Sequence, residues 1–231
     1  MIKKILSIIM ICSSMIYLCS CGSSTGNSGL SSQIKKAKAI TSYNDTATIE
    51  EVDLVTFGMG EKNNPIEWVV LEKKNGMALL LSKDLVDSRE YDGKLKDEKN
   101  WGSPLRDITW EMSAIREWLN KDFIDTAFSK SEQEIINNTK VETNDNIEYG
   151  TSGGNDTTDK LFLLSVEELN KYFKTSRLAR FKNNRIWWLR TPGATQNKVA
   201  VVDLGGDVEY GRDVCWTSNN MGVRPALWVK Y

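Results

Sequence analysis

The clearest pattern along the chain is a pair of apolar runs that flank a two-residue turn signal. Residues 65–83 read PIEWVVLEKKNGMALLLSK, and the Asn-Gly dipeptide at 75–76 is the preferred sequence for a type I′ turn. Apolar residues alternate with polar ones before the turn, and this alternation places Ile66, Trp68 and Val70 on one face. The segment therefore predicts a β-hairpin with a buried face.

The middle of the chain has the period of an amphipathic helix. Residues 113–128 begin with Ser113, a candidate N-cap, and then repeat apolar residues at helical spacing. The predicted buried positions are Ile115, Trp118, Leu119 and Phe123. Two capping boxes, Ser131-x-x-Glu134 and Ser165-x-x-Glu168, predict two further helix starts. Between them, the polar, glycine-rich residues 142–159 are predicted to form a solvated connection.

The last third of the chain returns to strand patterns. Short apolar runs separated by turn residues predict strands at 185–191, 198–204, 207–210 and 223–229, in addition to earlier ones at 53–58 and 160–164. Pro225 is expected at a sheet edge or at the start of a strand. The order of strands, then helices, then strands, without an internal repeat, predicts a single α+β domain over residues 51–231.

The N-terminus has the pattern of an export signal. Lys3 and Lys4 precede fourteen mostly apolar, uncharged residues, Ile5 to Leu18. A helix that spans a bilayer needs about 20 apolar residues, whereas the apolar region of a secretory signal needs only about 7–15. The pattern therefore favours a cleaved leader over a permanent membrane span.

The residues that follow the apolar run resemble a bacterial lipobox. Leu18-Cys19-Ser20-Cys21 has a branched apolar residue three before a cysteine and a small residue just before it. The resemblance implies cleavage after Ser20 and transfer of diacylglycerol to the Cys21 sulfur, and two acyl chains hold a protein stably on a membrane. The alternatives are an ordinary secretory signal, or a disulfide or metal pair at Cys19 and Cys21. The pair is disfavoured because no nearby Cys or His completes a four-ligand site.

The leader fixes the predicted organisation of the chain. Residues 1–20 are predicted to be the signal peptide and residues 21–50 a flexible tether, because residues 22–32 are rich in Gly, Ser, Thr and Asn. The predicted location is the extracytoplasmic face of the cell membrane, with membrane lipid as a partner through acylated Cys21.

Charge and missing residue types exclude several functions. Removing Lys3 and Lys4 with the leader leaves 28 basic against 31 acidic residues, a balance that argues against nucleic acid as a partner. The chain has no histidine, which rules out a Ser-His-Asp triad and removes the commonest zinc ligand. After cleavage only Cys21 and Cys215 remain, so no intramolecular disulfide can form once Cys21 is acylated. We predict no metal and no cofactor.

Several segments together resemble a known family. IEWVVLEKKNGMALLLSK, SAIREWLNKDF, FLLSVEE, WWLRTPG and GVRPALWV occur in the order typical of a bacterial family of domains of unknown function, number 6273, over about residues 56–231. The resemblance implies no established activity. Its C-terminal layout is similar to C-type-lectin-like folds, including the formylglycine-generating-enzyme type, and implies such a fold here. The copper-binding cysteine pair of those enzymes has no counterpart, because Cys215 stands alone.

Arginine and aromatic residues near the C-terminus are the candidate ligand contacts. Sugars stack on flat aromatic faces, amides and arginine bind their hydroxyls, and arginine also grips carboxylate or phosphate. Neighbours on a strand face opposite ways, so Trp187 is expected in the core and Trp188 on the face of Arg190. The predicted ligand-binding residues are Trp188, Arg190, Arg212, Trp216, Asn219, Asn220 and Arg224. The alternative is that the arginines make structural ion pairs and the tryptophans fill the core.

Other candidate sites have simpler explanations. Asp203, Asp207 and Glu209 are candidate calcium ligands, but the spacing of a calcium loop is missing, which favours a solvated hairpin tip. Cys215 has no histidine to activate it and is expected to be inert. The basic residues of 174–185 would suit anionic lipid or wall polymers, although a solvated connection is favoured.

The predicted function is non-catalytic binding of an extracellular glycan or protein by a lipid-anchored domain. An envelope enzyme that acts on glycans through paired carboxylates is the first alternative. A structural or assembly lipoprotein without a small ligand is the second.

Overall fold

The computed structural model describes the backbone of residues 35–44, 46–93, 107–173, 185–215 and 221–231, and the side chains of these residues from Asp53 onward. Cys21 and the predicted leader lie outside the described residues. The described part is built mostly from antiparallel strands with a few short helices, so the predicted α+β class is confirmed.

The described residues form thirteen strands and four α-helices. The strands are β1 (Lys35–Asn44), β2 (Thr46–Met59), β3 (Pro65–Lys74), β4 (Met77–Ser82), β5 (Asp87–Ser88), β6 (Thr139–Val141), β7 (Thr157–Asp159), β8 (Phe162–Leu163), β9 (Ile186–Pro192), β10 (Lys198–Val202), β11 (Val208–Asp213), β12 (Met221–Val223) and β13 (Pro225–Lys230). The helices are α1 (Ala114–Trp118), α2 (Ile124–Ala127), α3 (Lys130–Ile135) and α4 (Val166–Phe173).

Six strands form one antiparallel sheet in the order β1-β2-β3-β4-β13-β8. The β3–β4 hairpin turns at Asn75 and Gly76, whose φ angles of 51° and 71° are those of a type I′ turn. Ile66 and Trp68 are buried on its core face and Val70 packs partly buried against the core. The predicted hairpin is therefore confirmed. Pro225 begins β13, as expected for a residue without a backbone N–H donor.

A second sheet has the order β11-β10-β9-β12-β5, with β12 parallel to β9 and the other pairs antiparallel. Trp187 and Trp188 are adjacent on β9 and both are fully buried. The expected division into a core-facing and a ligand-facing tryptophan is therefore wrong, because protein packs on both faces of this strand. The remaining pair, β6 and β7, forms a separate two-stranded sheet.

The predicted central helix exists and starts at the predicted cap. Ser113 Oγ accepts a hydrogen bond from the Arg116 backbone N–H at 3.3 Å. Ile115, Leu119 and Phe123 are buried along one face, as the periodicity indicates. The helix is interrupted by a π-helical turn over Leu119–Phe123, which separates α1 from α2.

One of the two predicted capping boxes is displaced by two residues. Helix α3 is capped by Ser129 and Glu132 rather than by Ser131 and Glu134. The sequence SKSEQE contains both spacings, and a tertiary contact favours the first, because Glu132 Oε1 also accepts the Gly58 N–H at 3.0 Å. The box that opens α4 is confirmed, with reciprocal Ser165–Glu168 bonds of 2.9 and 3.1 Å.

Two segments predicted as connections have more structure than expected. The β1–β2 hairpin occupies part of the predicted tether of residues 21–50, and β2 continues from it as the neighbour of β3. The loop between β6 and β7 packs on the end of β9 instead of being solvated. Within it, Asn146 Nδ2 donates to Pro192 O at 2.9 Å and Thr151 Oγ1 donates to Gly193 O at 2.8 Å. These bonds join positions distant in sequence, so local composition does not reveal them.

Candidate functional site

Trp188 lies in the interior rather than on a ligand-binding surface. Its Nε1 donates to Arg89 O at 2.8 Å, and its ring meets the edge of Tyr91 with the centroids 5.6 Å apart. Its indole N–H therefore already has a hydrogen-bond acceptor within the protein, and its side chain packs in the core at the second sheet.

Arg190 makes the structural ion pair that was the alternative to ligand binding. Its side chain is almost completely buried, donates to Leu163 O at 2.7 Å and to Glu142 O at 3.0 Å, and pairs with the Glu168 carboxylate. All three partners lie in other elements, so Arg190 ties β9 to β8, to α4 and to the loop after β6.

Arg224 is also buried, at the junction between β12 and β13. Its Nε donates to Ser82 O at 2.9 Å, and its guanidinium carbon lies 4.9 Å from the Trp187 ring centroid and 5.5 Å from that of Phe173. Among the described residues, Arg224 Nη1 and Ser82 Oγ have no hydrogen-bond partner. Burial lowers the pKa of Arg224 to about 9. With 1% of its surface exposed, Arg224 is not an accessible ligand contact.

The other predicted contacts are only partly described. Arg212 is half-buried on β11 and its Nη2 lies 2.7 Å from Glu209 Oε2. Trp216, Asn219 and Asn220 lie outside the described residues, so their assignment stays a prediction. The structure therefore does not bring the described members of the predicted set together on a surface.

The acidic residues at the β10–β11 turn are arranged as a hairpin tip. Asp203 Oδ1 accepts the backbone N–H groups of Gly205 and Asp207, each at 2.8 Å. Glu209 is engaged by Arg212. Among the described residues, no group of three Cys, Asp or Glu side chains is placed to hold a metal ion.

Two further predicted features lie at or beyond the end of a described range. Cys215 is half-buried and forms no disulfide with another described residue. The basic segment of residues 174–184 lies outside the described residues. In the described part of the chain, the helices are all too short or too polar to cross a bilayer.

The structure contains a pocket that the sequence did not reveal, which we call the Trp228 pocket. It has a volume of about 250 Å³ and lies where β13, the β3–β4 turn and the connection from α3 to β6 meet. Its lining residues are Lys74, Asn75, Met77, Asn137, Asn138, Thr139, Lys140 and Trp228.

Backbone pairing holds the three walls of the Trp228 pocket together. Asn137 N donates to Trp228 O at 2.8 Å, and Ile136 bridges to Val229 next to it. On the other side, Met77 pairs with Lys230 at the end of the β4–β13 ladder. The pocket is therefore built on rigid sheet edges, with Trp228 partly buried between them.

The rim of the pocket is rich in amide and hydroxyl groups. Asn75 and Asn138 are exposed, while Asn137 and Thr139 are half-buried. Asn137 Nδ2 donates to Asn138 O at 3.1 Å and approaches Thr139 Oγ1 at 3.4 Å, so neighbouring groups fix this amide. An indole and a methionine side chain beside three amides and a hydroxyl present an apolar surface edged by hydrogen-bonding groups. This combination suits a ligand with one apolar face and several hydroxyls.

Two lysines give the pocket its charge. Lys140 Nζ lies 2.9 Å from Asp156 Oδ2 and 3.9 Å from Glu142 Oε1. The hydrogen bond to Asp156 is the main cause that raises the pKa of Lys140, and the same bond lowers the pKa of Asp156. Lys74 is exposed at the end of β3.

A second pocket, of about 260 Å³, lies at the opposite end of β3, next to the turn between β2 and β3. Its polar lining includes the carboxylates of Glu61, Glu67 and Asp84, above an apolar floor formed by Ile66, Leu85 and Val86. Glu67 is engaged by Lys83, whose Nζ lies 2.5 Å from Glu67 Oε2. Carboxylates in a cleft are the feature that a glycan-active enzyme would need.

Sequence reasoning missed the Trp228 pocket because its residues come from three separate segments. The sequence predicts Trp228 only as a member of the final strand, at 223–229, and the partial exposure of its side chain is not visible in an apolar run. The available signal was the polar stretch Asn137-Asn138-Thr139, which begins two residues after the end of α3 and runs into the first residue of β6. Loops on rigid scaffolds commonly carry binding residues.

The comparison with known proteins gives a family but no activity. The family model described as "Domain of unknown function (DUF6273)" matches residues 75–231, so the expected family is confirmed over a shorter range than residues 56–231. No curated protein and no solved structure matches the chain. The matched range includes every residue that is described as lining the Trp228 pocket except Lys74. Because the match covers more than half of the sequence, the chain belongs to the DUF6273 family.

Proposed function

We propose that this protein is a lipid-anchored extracytoplasmic module that binds a saccharide in the Trp228 pocket without catalysis. The observation that carries the proposal is the placement of a partly exposed indole beside the amides of Asn75, Asn137 and Asn138. An indole offers a flat apolar face with a low entropic cost of ordering, and amides offer both donors and acceptors. A sugar ring has the complementary chemistry, with an apolar face of C–H groups and an equatorial belt of hydroxyls.

The size of the pocket supports a small ligand unit. Pockets for drug-sized ligands have volumes of about 300–1,000 Å³, and the Trp228 pocket has about 250 Å³. It therefore suits one sugar ring, either free or at the end or side of a longer glycan. Its open position at the sheet edge, with exposed Asn75 and Asn138, is compatible with a polymer that continues into solvent.

The location is proposed from the N-terminal sequence. Lys3 and Lys4, the short apolar run and the lipobox-like Leu18-Cys19-Ser20-Cys21 support export, cleavage and acylation at Cys21. We also propose a C-type-lectin-like arrangement for the C-terminal part, supported by the order of β9, β10, β11, β12 and β13 around a glycine turn. A lectin-like scaffold would be in keeping with a glycan ligand, although folds host many functions.

The experiment uses the purified full-length protein in detergent, first on a glycan array and then by calorimetric titration of the sugars that bind. Asn137→Ala and Asn138→Ala should each weaken binding about five-fold, because a hydrogen bond contributes about 1 kcal/mol. Trp228→Phe should weaken it further by removing part of the stacking surface. The exposed Asn144→Ala in the loop after β6 is the matched control and should leave binding unchanged.

The melting temperature separates loss of binding from loss of fold. Asn138 is exposed, and only its backbone carbonyl, not its side chain, accepts the hydrogen bond from Asn137. The melting temperature of the Asn138→Ala variant should therefore lie within a few degrees of that of the parent. A blank array, or binding that all three pocket variants retain, would refute the saccharide site. Appearance of new reducing ends in the bound glycan would instead favour the enzyme alternative, with Glu61 and Asp84 as the first residues to replace.

A further inference from the structure

We infer that the sugar bound in the Trp228 pocket carries one carboxylate, which Lys74 holds. This inference rests on the proposed saccharide function and names the class of sugar. Its basis is the one-sided distribution of charge around the pocket: two lysines line it, and none of the described residues that line it is acidic.

Lys140 contributes little of this positive charge to a ligand. Its ammonium group is 2.9 Å from Asp156 and 3.9 Å from Glu142, so two carboxylates already face it from the two ends of the loop that joins β6 to β7. The hydrogen bond with Asp156 is also the main cause that raises the pKa of Lys140. A ligand anion at Lys140 would have to compete with these acids.

Lys74 has a different environment. It is the last residue of β3, where its backbone pairs with Met77 across the turn, and no ion pair of Lys74 forms within the described residues. The carboxylate whose titration Lys74 affects is Glu72. Its pKa is lowered mainly by the hydrogen bond from Lys171, then by that from Tyr172, and only slightly by Lys74. Glu72 accepts hydrogen bonds from Lys171 at 2.7 Å and from Tyr172 at 2.6 Å. Within the described part of the chain, the charge of Lys74 is therefore available to a ligand.

One available ammonium group favours a ligand with a single negative charge. A carboxylate meets this requirement, whereas a phosphate monoester carries about 1.5 to 2 charges at neutral pH and would face only one lysine. The neighbouring amides would bind the hydroxyls of the same ring. The ligand class is therefore a uronic acid or another sugar with one carboxyl group.

The test compares matched pairs of sugars on the full-length protein in detergent: glucose with glucuronate, galactose with galacturonate, and N-acetylglucosamine with N-acetylmuramate. For the pair that binds, the acidic member should bind about two- to five-fold more tightly, the range for an exposed ion pair. This preference should be present in about 10 mM salt and should vanish in about 1 M salt, where charges are screened within about 3 Å.

Substitutions at Lys74 test whether this residue causes the preference for the acidic sugar. Lys74→Gln should abolish the preference for the acid, so that the acidic and the neutral sugar of the pair bind equally, and Lys74→Arg should restore the preference. Lys62→Gln is the matched control, because Lys62 lies in the turn at the opposite end of β3 and should change neither affinity.

The possible outcomes separate the carboxylate inference from the proposed saccharide site. Equal binding of acid and neutral sugar, or a preference that survives in Lys74→Gln, would overturn the carboxylate inference and leave the saccharide site standing. Tighter binding of a sugar phosphate than of the matching uronate would also overturn it. Failure of every sugar to bind would overturn the proposed function first and the inference with it.

Discussion

Arg224 shows that an arginine can suggest ligand binding from the sequence although its side chain is buried in the structure. Its position after the loop that contains Trp216, Asn219 and Asn220 suggested contact with an anionic ligand. The guanidinium instead lies against the rings of Trp187 and Phe173. Cation–π contacts are worth about 0.5–2 kcal/mol each, which offsets part of the burial cost that lowers its pKa to about 9. The residue is therefore explained by packing at the junction between two sheets.

Tyr91 permits a prediction about pH at the residue scale. Its ring is buried between Trp110 and Trp188, and burial raises its pKa well above the ordinary value of about 10. In the unfolded chain Tyr91 ionises near pH 10, whereas in the folded protein it keeps its proton. Its contribution to stability is therefore complete below pH 10 and is lost as the pH rises above that value, by up to about 1.4 kcal/mol per pH unit.

Denaturant unfolding at several pH values between 9 and 11 would measure this effect. The free energy of unfolding of Tyr91→Phe should fall less steeply with pH than that of the parent. The remaining pH dependence of the free energy of unfolding should include a contribution from Tyr172, because burial raises the pKa of Tyr172 to about 12. Tyr231→Phe, which removes an exposed phenol, is the control and should follow the parent curve. Parallel curves for parent and Tyr91→Phe would contradict the prediction.

At the scale of single elements, Glu168 connects a helix cap to the core. One carboxylate oxygen accepts the Ser165 N–H that caps α4 and also pairs with buried Arg190. Glu132 caps α3 with the same spacing, but its second partner is the neutral Gly58 N–H. The two capping boxes therefore have the same local sequence pattern and different tertiary partners.

This difference predicts unequal costs for the same substitution. Glu168→Gln should lower the free energy of unfolding by about 3 kcal/mol, because it leaves a buried arginine without its counter-charge. Glu132→Gln keeps an acceptor for neutral donors and should cost about 1 kcal/mol or less. Ser165→Ala and Ser129→Ala, which remove only the caps, should each cost about 1 kcal/mol. Urea unfolding of the four variants checks the order, and equal costs for the two glutamate variants would show that Arg190 does not depend on Glu168.

Elements with local signals were predictable, and contacts between distant segments were not. The Asn75-Gly76 turn, the Ser113 cap and the Ser165 cap all follow from a few adjacent residues. The position of the α3 cap could not be predicted, because Gly58 decides between two overlapping patterns. The Trp228 pocket was missed for the same reason: it exists only because β13 pairs with β4 and brings three segments together.

At the scale of the whole molecule, acylation at Cys21 would determine where the domain acts. Mass spectrometry of the mature protein should find an N-terminal cysteine at position 21 that carries a diacylglyceryl group. Cys21→Ser should leave the leader uncleaved or release the protein from the membrane fraction, because the proposed anchor places both acyl chains on this one sulfur. Cys19→Ser is the matched control and should be processed like the parent. Unchanged fractionation and electrophoretic mobility of Cys21→Ser would contradict the proposed anchoring.

A single residue, Arg224, separates β12 from β13, although these strands belong to different sheets. The chain also passes from the six-stranded to the five-stranded sheet between β4 and β5, and again between β8 and β9. Neither sheet is therefore made from one continuous piece of sequence, and no single cut would divide the described part into two self-sufficient halves. The consequence is cooperativity: both sheets should melt in one step, and an attempt to dissect the domain into smaller autonomous fragments would yield pieces with exposed strand edges.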